Sequence, residues 1–431
     1  MSKKPSLVFC GPVETVSGYG SHARDLVNSI ISMDKFDLRV MPINWGDTPM
    51  NALDINNPED WQLLSVITNE PLRVKPDVWV QCTIPTEFSP VGTYNIGITA
   101  GIETNICSPE WIDGCNRMDL IIVPSQHAKN VFMETSYEKR DKSTGELLDT
   151  IKINKPIEVL HEGVRTDIFN KESKNDKNVY EELSKIKEDF AFLFVGHWLK
   201  GDFGQDRKDM SGLIYTFLDT FKDTKNAPAL VLKTSIGTFS IQGRSEIIKR
   251  INGIKKMISA KKFPKIYVLY GDLNETEMNS LYNHPKIKAF VSFTKGEGYG
   301  RPIAEFITTG KPVIVSGWSG HLDFVNPNNH ILLPGKLNNV HSSAVWNTII
   351  NEGTQWFTVD YDTASKRIKD VYSKYGFYHS KSKSSLLDFK KNWSYNQMVK
   401  NFEKILEKRL PKFTERVILS LPKIKKPSEI S

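Results

Sequence analysis

The sequence predicts an α/β protein of two parallel-sheet domains that face each other across a cleft. Three observations lead there. The chain has 431 residues, more than a single hydrophobic core usually serves. Short apolar runs alternate with helical patterns over most of its length, and such alternation builds parallel sheets covered by helices on both faces. A polar stretch rich in Lys, Asn, Glu and Asp, residues 171–188, divides the alternation into two series.

In the first series, residues 7–10, 38–43, 77–81, 95–99, 120–123 and 157–160 read as strands, and 21–32 and 125–134 as helices. Residues 137–148 are charged and carry a Ser-Thr-Gly turn, which predicts an exposed insertion. Residues 171–177 read as the linker, followed by a helix. In the second series, 191–195, 229–233, 266–270, 289–293 and 312–316 read as strands, and 211–220 and 275–283 as helices. Residues 394–409 read as one long closing helix that crosses back to the first domain. The expected division is 1–172 and 173–390 for two Rossmann-like domains, with 391–431 as the crossing helix and a basic tail. There is no internal repeat at a fixed period.

Composition fits a soluble globular protein, 39% hydrophobic and 25% charged. No run of 18 apolar residues is present, so no transmembrane segment is expected. Met1 to Pro5 runs directly into the first strand, too short an apolar stretch for a signal peptide. Cys10, Cys82, Cys107 and Cys115 show no Cys-x-x-Cys spacing, which points to reduced thiols and a cytoplasmic location. The formal net charge is +7. From Lys400 onward, nine basic residues (400, 404, 408, 409, 412, 416, 423, 425 and 426) face four glutamates (403, 407, 415 and 429). That excess reads either as a solvated face with a loose tail or as a contact for membrane lipid phosphates or nucleic acid. The apolar run 417–421 beside Lys423, Lys425 and Lys426 reads as packing against the body, with a peripheral membrane contact as the other reading.

The most informative segment is 294–305, Thr-Lys-Gly-Glu-Gly-Tyr-Gly-Arg-Pro-Ile-Ala-Glu. It follows a buried strand and opens a helix, 302–309, with Pro302 at the start and Gly310 past the end, the usual helix asymmetry. Glu297 and Glu305 stand eight positions apart. A glycine-rich helix start offers free N–H groups and a positive dipole end to an anion. Glu305, one turn in, could then reach a ribose beside a phosphate. Arg301 opposes the helix dipole, which suggests a ligand anion nearby. At the other end of the chain, Gly18 and Gly20 open the first helix after Gly11-Pro12. Ala23 stands where a dinucleotide fingerprint needs its third glycine, and the second strand ends at Asn44-Trp45 rather than at an acid, so a Rossmann dehydrogenase is disfavoured. His22, His127, His284 and His321 read as surface or packing residues, and His161-Glu162 has no second histidine at zinc spacing.

The run Glu297 to Phe306, followed by Gly-Lys-Pro-Val-Ile-Val at 310–315, resembles the Glu-x7-Glu signature of glycosyltransferase family 4. These are retaining sugar transferases with the GT-B fold. The segments 159–169, 194–197, 207–214, 229–233, 270–272 and 318–324, and Glu103-Thr104 with Pro109-Glu110-Trp111, also resemble the family. The resemblance runs from about Gly11 to Arg409. It implies an acceptor-side first domain and a donor-binding second one. It also implies that Glu305 holds the donor's ribose, and that Glu297 with the backbone of Gly298, Tyr299 and Gly300 holds the transferred sugar. Lys208 would meet the diphosphate, with Lys233 or Arg301 nearby. Gly18 and Gly20 would approach the donor from the first domain, and Glu103 would lie near sugar and acceptor. Where the family often has Arg after Val-Gly, this chain has His197. Charge would then come from Arg207 or Arg301, and donor affinity could depend on pH.

The chemistry implied is transfer from a nucleoside-diphosphate sugar, the co-substrate, to a hydroxyl of a glycan, lipid or protein. Lys and Arg would stabilise the departing diphosphate, so neither a metal nor another cofactor is expected. No Asp-x-Asp ends a strand, and no dedicated nucleophile or base stands out. Two competing functions remain: a viral-type enzyme glycosylating hydroxymethylated cytosine in DNA, and a non-catalytic sugar- or nucleic-acid-binding protein on the same fold.

Overall fold

The computed structural model describes residues 4–173, 175–237 and 240–413. Its first sheet contains β1 (Ser6–Gly11), β2 (Asp37–Pro42), β3 (Val78–Cys82), β4 (Tyr94–Ile98), β5 (Leu120–Val123) and, beyond the hairpin β6 (Ser136–Arg140) and β7 (Leu147–Lys152), β8 (Ile157–Val159). All six pair in parallel, in the order β2-β1-β3-β4-β5-β8. The second sheet contains β9 (Ala191–Val195), β10 (Ala229–Lys233), β11 (Ile266–Leu269), β12 (Ile287–Ser292), β13 (Val313–Ser316) and β14 (Ile331–Leu333). It too is parallel throughout, in the order β11-β10-β9-β12-β13-β14. Most of these strands are apolar along their length because helices cover both faces. An antiparallel pair, β15 (Gly335–Asn339) and β16 (Gln355–Val359), follows the second sheet.

The helices are α1 (Gly18–Met33), the single turn α2 (Trp61–Leu64), α3 (Pro109–Asn116), α4 (Gln126–Glu134), α5 (Lys177–Ser184), α6 (Met210–Phe221), α7 (Ile241–Lys256), α8 (Glu275–Asn283), α9 (Arg301–Ile307), α10 (Tyr361–Ser373), α11 (Tyr375–Ser384), α12 (Leu386–Asn392) and α13 (Tyr395–Arg409). Met398, Phe402, Ile405 and Leu406 of α13 are buried in the first sheet's core with Leu26, Val27 and Ile30 of α1. The crossing is fixed by backbone hydrogen bonds from Val164 N–H to Trp393 O (2.9 Å) and from Tyr395 N–H to Val164 O (2.8 Å).

Three features differ from the sequence reading or extend it. The insertion at 137–148 is part of an exposed antiparallel hairpin, β6–β7. β14 forms a sixth strand in the second sheet, where only five were expected. Helix α9 begins at Arg301 and ends at Ile307, shorter than the expected 302–309. The hydroxyls of Thr308 and Thr309 bond back to the carbonyls of Glu305 (2.6 Å) and Phe306 (2.8 Å), and Gly310 turns left-handed at φ 69°. With under two full turns, α9 contributes little dipole, and fixed side-chain charges become the stronger local field. The run 417–421 and the basic residues 416, 423, 425 and 426 lie outside the described residues. All four cysteines are buried and free. No helix among the described residues is long and apolar enough to cross a membrane.

The carboxyl ends of β4, β9, β12 and β13 lead into the loops 99–103, 196–209, 293–300 and 317–321, which meet at the junction between the two sheets. Because α13 closes the first domain's core, its largest buried residue is a direct handle on that closure. Phe402→Ala should cost about 3–5 kcal/mol. The check is chemical denaturation, in which the transition reporting the first domain shifts to lower denaturant.

Candidate active site

Two loops with no intervening side chain join the halves of the site. A Cβ at Gly298 would lie 1.8 Å from the carbonyl oxygen of Ala100, and one at Gly296 would lie 2.1 Å from that of Glu103. Only glycine allows backbone to approach backbone this closely. The second-domain loop is fixed from behind: Glu297 N–H donates to Ser319 Oγ (2.9 Å), and Gly320 N–H donates to Glu297 O (2.9 Å). The first-domain loop is fixed by Tyr19 on α1, whose hydroxyl pairs with Thr99 Oγ1 (3.0 Å) and accepts from Ala100 N–H (2.9 Å). The Tyr19 ring stacks on Trp45, with centroids 4.0 Å apart.

At this junction two carboxylates and two cations converge. Lys208 Nζ hydrogen-bonds to Glu297 Oε1. Arg207 Nη1 lies 3.2 Å from Glu103 Oε1 and 3.9 Å from Glu297 Oε2. Arg207 is therefore placed between a carboxylate from each domain. Its loop is anchored by Lys295 N–H donating to Arg207 O (2.9 Å), and by buried Asp209, which pairs with buried Lys295 at 3.4 Å and accepts from Tyr361 Oη at 2.7 Å. Burial works against the Glu297 charge, but Lys208 and Arg207 outweigh it and hold this carboxyl below its ordinary range. Burial raises the pKa of Glu103, against the pull of Arg207 and with Glu297 adding to the rise.

Arg301 is the centre of a second cluster. Its guanidinium lies 2.7 Å from Asp25 Oδ2, 3.6 Å from Glu162 Oε2, 3.7 Å from Glu275 Oε1 and 3.1 Å from Glu305 Oε1. Where the sequence suggested a ligand anion, the structure places protein carboxylates around Arg301, which corrects that expectation. Glu305 also accepts from Tyr282 Oη at 3.0 Å. One cation cannot neutralise four buried or half-buried acids. Burial raises Glu162 to about 7 against Arg301, with Asp25 adding to the rise. Burial likewise raises Glu305 to about 7 against Arg301, with Glu275 adding to it.

The other expected residues are placed as follows. Gly18 faces open space, whereas Gly20 packs on Thr15, whose carbonyl oxygen would lie 2.2 Å from an added Cβ. Gly300, with φ 100°, forms the N-cap of α9. The Tyr299 ring packs on Phe324 at 4.9 Å in the core, which leaves its backbone to line the loop. Lys233 donates to Gly271 O (2.7 Å) rather than joining the Lys208 cluster. His197 pairs through Nδ1 with Ser235 Oγ (2.7 Å). Burial, with Arg207, Lys208 and Lys233 alongside, lowers it to about 4. It is neutral at physiological pH, which corrects the expectation that its titration would make donor affinity vary near neutrality.

Sequence reasoning missed Asp25, Glu162, Glu275 and Tyr282 as partners of Arg301 and Glu305. A signal for Asp25 existed: on α1, His22, Asp25 and Ser29 form a buried polar strip among apolar residues. His321, read from the sequence as a surface or packing residue, is fully buried, donates from Nε2 to Ser316 O (2.7 Å) and leaves Nδ1 without a hydrogen-bond partner.

No family model matches the chain, and no curated protein does. Solved structures do. A sucrose-phosphate synthase from Thermosynechococcus elongatus superposes with a TM-score of 0.61 at 10% identity, covering 94% of this chain and 99% of the other. Anabaena Alr3699/HepE in complex with UDP-glucose gives 0.59 at 13% identity, covering 94% of this chain and 100% of the other. A glycosyltransferase from Rickettsia africae gives 0.59 at 13%, covering 94% and 99%. The fold these likenesses show is GT-B.

The raised carboxyls predict a pH dependence. Glu162 moves from an ordinary 4.5 to about 7 on folding. A raised folded value means stability that is present below the unfolded value and lost as pH rises through the folded one. Relative to Glu162→Gln, the wild type should lose on the order of 2–3 kcal/mol between about pH 5 and about pH 8. Thermal unfolding of both proteins across that range checks this, and parallel curves would refute it.

Proposed function

We propose that the protein is a retaining glycosyltransferase that moves a sugar from a nucleoside-diphosphate donor to an acceptor hydroxyl of a glycan, lipid or protein. The observation that carries this reading is the Glu103–Arg207–Glu297–Lys208 cluster at the carboxyl ends of two facing parallel sheets, where open α/β sheets bind ligands. The GT-B likeness to a structure containing UDP-glucose supports the donor class.

The charges suggest how the site would work. Lys208 exchanges Glu297 for the donor's diphosphate, and Arg207 stands beside it. The released Glu297 carboxylate then accepts from hydroxyls of the sugar, and Glu305 accepts from the ribose. As the bond from the sugar's anomeric carbon to phosphate oxygen breaks, negative charge grows on the leaving diphosphate. Fixed cations stabilise that charge in the transition state more than in the ground state. The leaving phosphate oxygen takes the acceptor hydroxyl's proton, and the acceptor oxygen bonds to the anomeric carbon on the face just vacated. Inversion would need a free carboxylate base on the opposite face. Glu103 is held by Arg207, and the released Glu297 is taken up by the sugar's hydroxyls, which supports the retaining route. Charge neutralisation in this scheme comes from lysine and arginine, with no step assigned to a metal.

Thermal-shift and calorimetric screening of UDP, GDP and ADP tests the donor class. At least one should bind, and Glu305→Gln should weaken it roughly tenfold or more. Unchanged affinity in Glu305→Gln would remove the ribose role. With an active donor in hand, Lys208→Met should lower kcat by about 10²–10³, and a rise in KM with kcat unchanged would contradict the transition-state role.

A further inference from the structure

Arg301 stands in the gap between the two domains and touches both. Asp25 belongs to α1 on the first sheet, and Glu162 follows β8 of that sheet. Glu275 lies in the first turn of α8, and Glu305 on α9 beside the second sheet. Two edges of one planar guanidinium are in use. Nε donates a hydrogen bond to Glu305 Oε1 at 3.1 Å, whereas Nη1 stands 2.7 Å from Asp25 Oδ2 as an ion pair that lacks the alignment of a hydrogen bond. The guanidinium is planar and rigid, so the pull of Asp25 on one end sets how the other end meets Glu305. The other Glu305 oxygen is held by Tyr282 at 3.0 Å. Both oxygens retain a lone pair, because a carboxylate oxygen accepts two hydrogen bonds. The Arg301 side chain is 13% exposed and that of Asp25 7%, so neither contact is a solvent-washed surface pair.

We propose that Arg301 is a positioning residue that couples closure of the domains to nucleotide recognition: Asp25 of the first domain fixes the Arg301 guanidinium, and the guanidinium fixes Glu305 for the ribose hydroxyls. Glu305 is then correctly aimed only when α1 is docked. The first domain thereby influences the affinity for the nucleoside half of the donor through residues that touch no part of it. This inference rests on the donor-site reading above and adds the device that switches it.

A purely structural ion pair would change stability without changing selectivity for the sugar of the nucleotide. The readout is therefore the ratio of affinities for UDP, GDP or ADP against the 2′-deoxy form of each, measured by calorimetry on the full chain. The wild type should favour the ribose form of its preferred nucleotide roughly tenfold or more, the size of one hydrogen bond to a charged group. In Asp25→Asn that ratio should fall to about threefold or less, although Asp25 lies in the opposite domain. Should Asp25→Asn fold poorly, Arg301→Lys keeps the charge and loses the fork, and it should show the same collapse. A folded Asp25→Asn or Arg301→Lys with the wild-type ratio overturns the coupling and leaves the donor site standing. An unchanged ratio in Glu305→Gln, or no nucleotide bound by the wild type, overturns the donor-site reading and this inference with it.

Discussion

Two backbone contacts, Gly296 against the carbonyl of Glu103 and Gly298 against that of Ala100, set the distance between the domains. Any side chain at either glycine would wedge the loops apart. At this separation Arg207 can serve a carboxylate from each domain, and Arg301 can reach Asp25. The chain ties the same geometry from outside by sending α13 back onto α1, so the two domains are linked at the cleft and at the rim. Tyr19 joins these levels, because it belongs to α1 and holds the loop on which Gly298 rests.

The charge arrangement is costly to fold. Burying an ion carries a desolvation penalty of several kcal/mol, which pairing offsets only in good geometry. The chain accepts that penalty twice, and in different ways. Around Glu297 the charges balance, two acids to two bases, and the carboxyl stays ionised. Around Arg301 they do not, and burial drives Glu162 and Glu305 up towards neutrality. A balanced cluster suits a site that must hold and then release fixed charge. An acid-rich one suits hydroxyl groups, which can donate to the surplus carboxylates.

The framework was legible because both sheets are parallel and covered on both faces, so most of their strands are short, largely apolar runs. Residues 191–195, 229–233 and 275–283 end in the structure where the sequence ends them. β14 was missed because three residues, Ile331–Leu333, give too short a pattern to separate from a loop. The candidate site was legible where chemistry is local: glycines before a helix, two glutamates eight apart, Arg207 next to Lys208. The Arg301 cluster was not, because its partners come from positions 25, 162 and 275, and nothing in a single sequence pairs them. The same limit explains His197. Its residue type suggests titration near neutrality, but burial decides the matter and only the fold supplies burial.

A crystal structure of the protein with a nucleoside diphosphate is the decisive measurement. The diphosphate should lie on Lys208 and Arg207, the Lys208–Glu297 contact should be exchanged for phosphate, and the ribose hydroxyls should lie on Glu305 with Arg301 still joined to Asp25. A nucleotide bound away from these residues, with Lys208 still on Glu297, would contradict the donor-site reading.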